Sequence, residues 1–138
     1  MVFSYKHRVG FDDVDHAGIV YYPRFFHYFH LAFEELLFSA LSDRGGYRAV
    51  LDERKIGFPA VHADADYKKP LRFGDWMVIE VRAEHVGAKS ITLRYTVIAH
   101  ESGEICAEGK VTSAVVDLTV FRAVTMPDDL RALFESLR

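Results

Sequence analysis

With 138 residues, half of them hydrophobic and 27% charged, the chain has the profile of one globular domain with a sizeable core. A net charge of -3 supplies no long-range attraction for nucleic acid or an anionic membrane. The one cysteine, Cys106, has no internal partner for a disulfide, and no stretch reads as a signal peptide, transit peptide or apolar span, so a cytoplasmic location is expected.

A first strand is predicted over Phe3 to Val9, and the acidic, glycine-containing stretch FDDVDHAGIVYYPRFF follows it. From Pro23 onward, Phe25/Phe26, Phe29, Ala32/Phe33, Leu36/Leu37 and Ala40/Leu41 recur at three- and four-residue spacing, which predicts an amphipathic helix of about five turns. Pro23 suits the first helical position, where its locked φ fits and its missing N–H has no intrahelical partner. Gly45-Gly46 supplies the stop. Leu31 and Phe38 add apolar surface off the main stripe, which predicts that a second body, such as another subunit, covers part of the helix.

A short helix is predicted in Tyr47 to Lys55, after which the period changes to two. In VHADADYKK, Val61, Ala63, Ala65 and Tyr67 alternate with polar residues, as in a half-buried strand ending at Pro70. Trp76 to Val86, Ser90 to His100 and a longer run from Ile105 to Phe121 complete the strands, and MPDDLRALFESLR reads as a terminal helix with Asp128 and Asp129 at its start. Cys106 falls in a strand without a nucleophile signature and reads as a structural thiol. Strands joined by short turns imply an antiparallel sheet whose apolar face wraps the long helix, an α+β architecture within a single domain, 1–138.

The start of a long helix presents unpaired N–H groups and partial positive charge, a ready site for an oxyanion. The acidic stretch brings Asp15 there, Gly18 lets the backbone pass close to a ligand, and the N–H of Tyr22 is free to donate. Asp12 and Asp13 fit the commoner role of caps or dipole partners; Asp15, seven positions before Tyr22, lies too far back for that role. Asp13, Asp15 and His16, or His27, His30 and Glu34, have permissive spacing for a metal, but neither set matches a ligand motif, and no metal is expected. GxSxG, P-loop and GxGxxG motifs are absent, which argues against serine hydrolase, NTPase and dinucleotide chemistry.

The segment D-V-D-H-A-G-I-V-Y-Y-P before an aromatic helix, paired with F-P-A-V-H-A-D-A-D-Y-K-K-P-L-R-F-G-D downstream, resembles the 4-hydroxybenzoyl-CoA thioesterase-like branch of the hotdog-fold acyl-CoA thioesterases, from about Phe3 to Phe121. The resemblance implies a hotdog fold, a long central helix wrapped by a five-stranded antiparallel sheet. It also implies homodimers joined edge to edge, or homotetramers made from them. It makes Asp15 the catalytic acid, acting either as nucleophile on the thioester carbonyl or as general base on water, and the Tyr22 N–H the group that polarises that carbonyl. The E-H-V-G-A-K-S turn resembles one that holds the nucleotide of coenzyme A, which makes Lys89 and Ser90 candidate contacts; an ordinary solvated hairpin turn accounts for them equally.

The acyl pocket is expected where helix and sheet meet across the dimer, lined by Phe26, His30, Phe33 and the strand carrying His62. Hydroxybenzoyl-selective relatives place an acid where this chain has His30, which leaves another aromatic acyl group or a short aliphatic one equally admissible. The expectation is an acyl-CoA thioesterase that needs no cofactor and engages neither nucleic acid nor membrane. The rivals are a hotdog dehydratase, which uses a catalytic histidine with an acid from the partner subunit and does not share the D-x-D-x-x-G loop, and a non-catalytic acyl-CoA-binding or sensing module.

Overall fold

A computed structural model describes residues 1–138. The chain runs β1 (Phe3–Arg8), a 3₁₀ turn (Phe11–Asp13), α1 (Arg24–Ala40), α2 (Gly46–Asp52), β2 (Ile56–Gly57), β3 (Ala60–Tyr67), β4 (Trp76–Val86), β5 (Ser90–Ala99), β6 (Ile105–Ala114), β7 (Val116–Asp117), β8 (Arg122–Ala123) and α3 (Asp128–Glu135). Five strands pair antiparallel in the order β1-β4-β5-β6-β3, and β2, β7 and β8 form a small second sheet. No helix is long and apolar enough to cross a membrane.

Most of the predicted helical stripe is buried, Phe25, Phe29, Ala32, Phe33, Leu36, Leu37 and Leu41, and Tyr28 joins it, while Phe26 is half-buried and Ala40 exposed. The sheet supplies the cover, because Met77, Ile79 and Val81 of β4 and Ile91, Leu93, Tyr95 and Val97 of β5 point at the helix at period two. A bulge between Ala83 and His85 shifts β4 by one residue, which buries Val86 at its end and leaves His85 exposed. At the centre the Phe29 ring stacks on Tyr95 at 4.8 Å and passes over Gly109. A Cβ at Gly109 would lie 2.6 Å from that ring and 2.5 Å from the Asp64 carbonyl oxygen, so the close approach of helix and sheet requires glycine there.

Pro23 precedes the first helical residue, with helical φ and ψ, and Gly45 ends the following 3₁₀ turn at φ +85°. The short helix occupies Gly46–Asp52, starting one residue before the span expected for it and ending three residues short of its end. Leu31 is half-buried, and Phe38 stays 45% exposed against Tyr47.

Two strand expectations need correction. The run Ile105 to Phe121 is not one strand: β6 stops at Ala114, where the Val115 N–H turns to the Lys89 carbonyl. Val116–Asp117 then pairs with β2, and Phe121 takes φ +53° at the turn into β8. The half-buried reading of VHADADYKK also fails within one chain. β3 is an edge strand, seven of its eight residues are exposed, and Val61 is 66% exposed.

Candidate active site

The loop before α1 is pinched by an isolated bridge between Val14 and Val20 and by the Tyr21 N–H donating to the Asp13 carbonyl. The tip between them is a tight turn. The Asp15 N–H reaches the Ile19 carbonyl at 2.9 Å, the Gly18 N–H returns to the Asp15 carbonyl at 3.0 Å, and Gly18 adopts φ +81°. Asp15 Oδ1 accepts the Ala17 N–H at 2.8 Å. That bond fixes the carboxylate, half-buried and outside any ion pair, with Oδ2 left unengaged.

At the other arm of the loop the first helical amides are partly satisfied: Arg24 N–H donates to the Tyr21 carbonyl, Phe25 N–H to Tyr22 and Phe26 N–H to Pro23. The Tyr22 N–H makes no such bond, and Pro23 has none to offer. One loop leading into a 17-residue helix therefore carries an uncommitted carboxylate oxygen at its tip and an uncommitted amide at its helix end, where the dipole favours negative charge.

Asp13 serves a different purpose. Its side chain turns inward, and the residue is 6% exposed. Oδ2 accepts the Gly10 N–H at 2.8 Å and Oδ1 lies 3.3 Å from Arg24 Nε. The carboxylate thus caps the 3₁₀ turn at Phe11 rather than α1. The enclosed Tyr28 hydroxyl lies against the same carboxylate without a well-formed hydrogen bond, and burial first, then Asp13, pushes its pKa far above the phenol range. Beside it His7, 5.5 Å from the Tyr28 ring, has its pKa lowered by burial. Asp12 reaches Arg24 at the surface at 3.1 Å.

Two cavities follow α1. One of about 340 Å³ lies beside Tyr22, walled by Phe25, Tyr67, Lys68, Lys69 and Leu71. The other, of about 230 Å³, begins at Phe26, four residues or about 6 Å further along the helix axis. It runs past His30 and Phe33 between α1 and the sheet, with Tyr47, Phe58 and Tyr95 among its walls. The structure thus brings the expected Phe26, His30 and Phe33 to one cavity; His30 Nε2 lies 3.5 Å from Glu34 Oε1.

His62 is not part of that wall. A bulge between Ala60 and His62 turns Ala60 and Ala63 toward the cavity and puts His62 on the outer face beside Thr112, where its Nε2 meets Asp64 Oδ2 at 2.8 Å. Nor do Lys89 and Ser90 join Asp15 within one chain. They occupy the β4–β5 hairpin, where Ser90 pairs with Ala114, beside the Ala60 end of β3. Tyr22 packs on Tyr67 at the other end, seven residues or about 23 Å of strand away.

No three His, Cys, Asp or Glu side chains converge as metal ligands would. Cys106 is 1% exposed and burial raises its thiol pKa, which keeps it protonated and unreactive. The sequence reading missed Tyr47, Tyr67, Tyr95, Lys68, Lys69 and Ser113. Of these only Tyr67, Lys68 and Lys69 carried a signal, their place inside the A-D-Y-K-K-P segment.

Comparison with known proteins identifies the family. The family model described as the thioesterase-like superfamily matches residues 9–134. A 1,4-dihydroxy-2-naphthoyl-CoA hydrolase of Nostoc punctiforme is 26% identical over 138 residues, covering 100% of this chain and 90% of that protein. The acyl-CoA thioesterase YbgC of Haemophilus influenzae is 26% identical over 136 residues, covering 99% and 96%. Among solved structures, a gentisyl-coenzyme A thioesterase superposes with a TM-score of 0.82 at 30% identity, covering 95% of this chain and 98% of that one.

Proposed function

The chain belongs to the thioesterase-like superfamily and has its hotdog fold, and we propose that it is an acyl-CoA thioesterase acting on a compact aromatic acyl thioester, with Asp15 and the Tyr22 N–H as its reacting groups. The observation that carries this reading is the pairing, on one pinched loop, of a carboxylate held by one oxygen with an amide that has no partner. The carbonyl oxygen of the thioester takes the Tyr22 N–H. Asp15 then either removes a proton from water as the hydroxide adds to the carbonyl carbon, or adds through Oδ2 to form an anhydride that water opens. In both routes the tetrahedral oxyanion faces the amide and the helix dipole, the C–S bond breaks, and coenzyme A leaves as thiol after taking up a proton. Preorganised donors of this kind lower the barrier by about 3–4 kcal/mol.

Two of the relatives are named for dihydroxylated aromatic thioesters, and the aromatic walls of the 230 Å³ cavity, below the roughly 300–1,000 Å³ of drug-sized pockets, suit a ring better than a long chain. We also propose a homodimer through β3, alone or paired into a homotetramer. Two exposed β3 edges pairing antiparallel would set the Ala60 end of one chain, with its Lys89 and Ser90, against the Tyr67 end of the other, where Tyr22 lies. This arrangement would bring the coenzyme contacts to the acid across two subunits.

The experiment is thiol release from a panel of aryl- and short-chain acyl-CoA thioesters by the purified protein. Turnover fastest on aromatic thioesters is expected. Binding without release would overturn the catalytic assignment in favour of an acyl-CoA sensor.

A further inference from the structure

We propose that Tyr47 and Tyr95 determine the acyl specificity of this site, their phenol hydroxyls hydrogen-bonding to a hydroxyl substituent on an aromatic ring seated between α1 and the sheet. The inference rests on the reading of this cavity as the acyl site and names what selects its occupant.

Tyr95 is 3% exposed and Tyr47 is 8% exposed, and both stand on the cavity wall. Neither hydroxyl has a hydrogen-bond partner within the chain. They are not sealed away, however. The one side-chain polar atom that is both fully enclosed and unpartnered is the Tyr28 hydroxyl, on the far side of the helix stripe. Both residues line the cavity while their rings belong to the core, which puts hydroxyls that are not fully enclosed within reach of a ligand seated there. A ligand that fills the cavity shuts these hydroxyls off from water, and one that cannot pair with them leaves each unsatisfied at a cost of about 1–3 kcal/mol.

The rings are also fixed. Tyr95 is held by its 4.8 Å stack on Phe29, and Tyr47 by edge contacts with Phe33 at 5.7 Å and Phe38 at 6.0 Å. Their hydroxyls are thus preorganised, with little rotamer freedom to lose on binding. Burial raises the pKa of both phenols, so both are neutral donors over the physiological range. Around them Phe26, Phe33 and Phe58 offer ring faces and edges, and Ser113 and His30 add polar atoms nearer the β3 edge. A hydroxylated aromatic ring satisfies both kinds of wall; an aliphatic acyl chain leaves two phenols unpaired. Sites built to pair with a substrate hydroxyl reject the analogue lacking it far more strongly than apolar pockets discriminate by size.

The test compares 2,5-dihydroxybenzoyl-CoA with benzoyl-CoA on the wild-type protein, Tyr47→Phe, Tyr95→Phe and the double variant. kcat/KM is measured for the thioesters, and calorimetric affinity for the matching non-hydrolysable thioethers. The wild-type protein should prefer the dihydroxylated compound by at least about a hundredfold, and each substitution should shrink that ratio about tenfold, whatever change in rate the two compounds share. Benzoyl-CoA hydrolysis also reports that the variants fold, and the thioether affinities keep the comparison readable without it. Equal loss on both compounds, or no preference in the wild-type protein, would overturn the proposal. Hydroxyl-dependent thioether binding without any thiol release would sustain this specificity and refute the thioesterase reading instead.

Discussion

Replacing Asp13 by asparagine keeps the size of a side chain that is almost fully enclosed and removes its charge. The carboxylate now serves the Gly10 N–H at 2.8 Å and Arg24 Nε at 3.3 Å, with the enclosed Tyr28 hydroxyl beside it. An amide offers one acceptor oxygen to two donors and turns its own NH₂ toward one of them. Losing a hydrogen bond to a charged group costs about 1.5–3 kcal/mol. The Arg24 share is small, because that side chain is 33% exposed and water can replace the contact. The expected loss is therefore about 2–3 kcal/mol. With an unfolding entropy of about 2.1 cal/mol/K per residue over this chain length, that corresponds to a Tm about 7–10 °C lower. Urea titration should show a lower midpoint with an unchanged m-value. Asp12→Asn, at an 82% exposed side chain, is the control and should cost under about 0.5 kcal/mol. An Asp13→Asn protein as stable as the Asp12→Asn control would refute the assignment of Asp13 as the anchor of the loop.

Gly109→Ala should destabilise by about 1–3 kcal/mol in urea, since its Cβ meets a backbone oxygen and the Phe29 ring at under 3 Å; a neutral result would mean that helix and sheet are less tightly apposed. Asp129, gripped by Arg54 at 2.7 Å and Arg44 at 3.0 Å, has its carboxyl lowered to about 2 from a usual 3.8, mainly by the Arg54 hydrogen bond. Its contribution, about 1 kcal/mol after solvent screening, is present above the unfolded value and lost as pH falls from about 4 to about 2. The stability gap between wild type and Asp129→Asn should therefore close over that window, and a gap that stays constant would contradict the pairing. Lys89→Ala should weaken coenzyme A binding severalfold, most at low salt; unchanged affinity would remove that contact.

The fold was legible where burial is one-sided. Phe25 to Leu37 kept helical spacing because one stripe meets the sheet, and Met77 to Val81 and Ile91 to Val97 alternated because one face of each strand does. Legibility failed where pairing changes partner without a change of composition. Val115 and Val116 look like continued strand, yet the backbone leaves β6 there for β2. It failed again at β3, whose alternation is real while its apolar face stays open in one chain. Asp15 and Tyr22 could be singled out because loop spacing and a following proline are written in the sequence. The outward turn of His62 depends on a bulge that no residue type announces. Tyr47 and Tyr95 escaped notice for a related reason: an aromatic facing a core and one facing a cavity carry the same period, and only packing separates them.

The central claim, that Asp15 performs the chemistry on a helix end prepared for an oxyanion, is tested most directly by the turnover of Asp15→Asn on the best wild-type thioester, with analogue affinity measured alongside. Asparagine can keep the Ala17 N–H bond through Oδ1, so the loop and ligand affinity should persist while kcat falls by about 10²–10⁴. A variant that binds normally and turns over within about twofold of the wild-type rate would contradict the account, because a true acid–base group is worth far more than that.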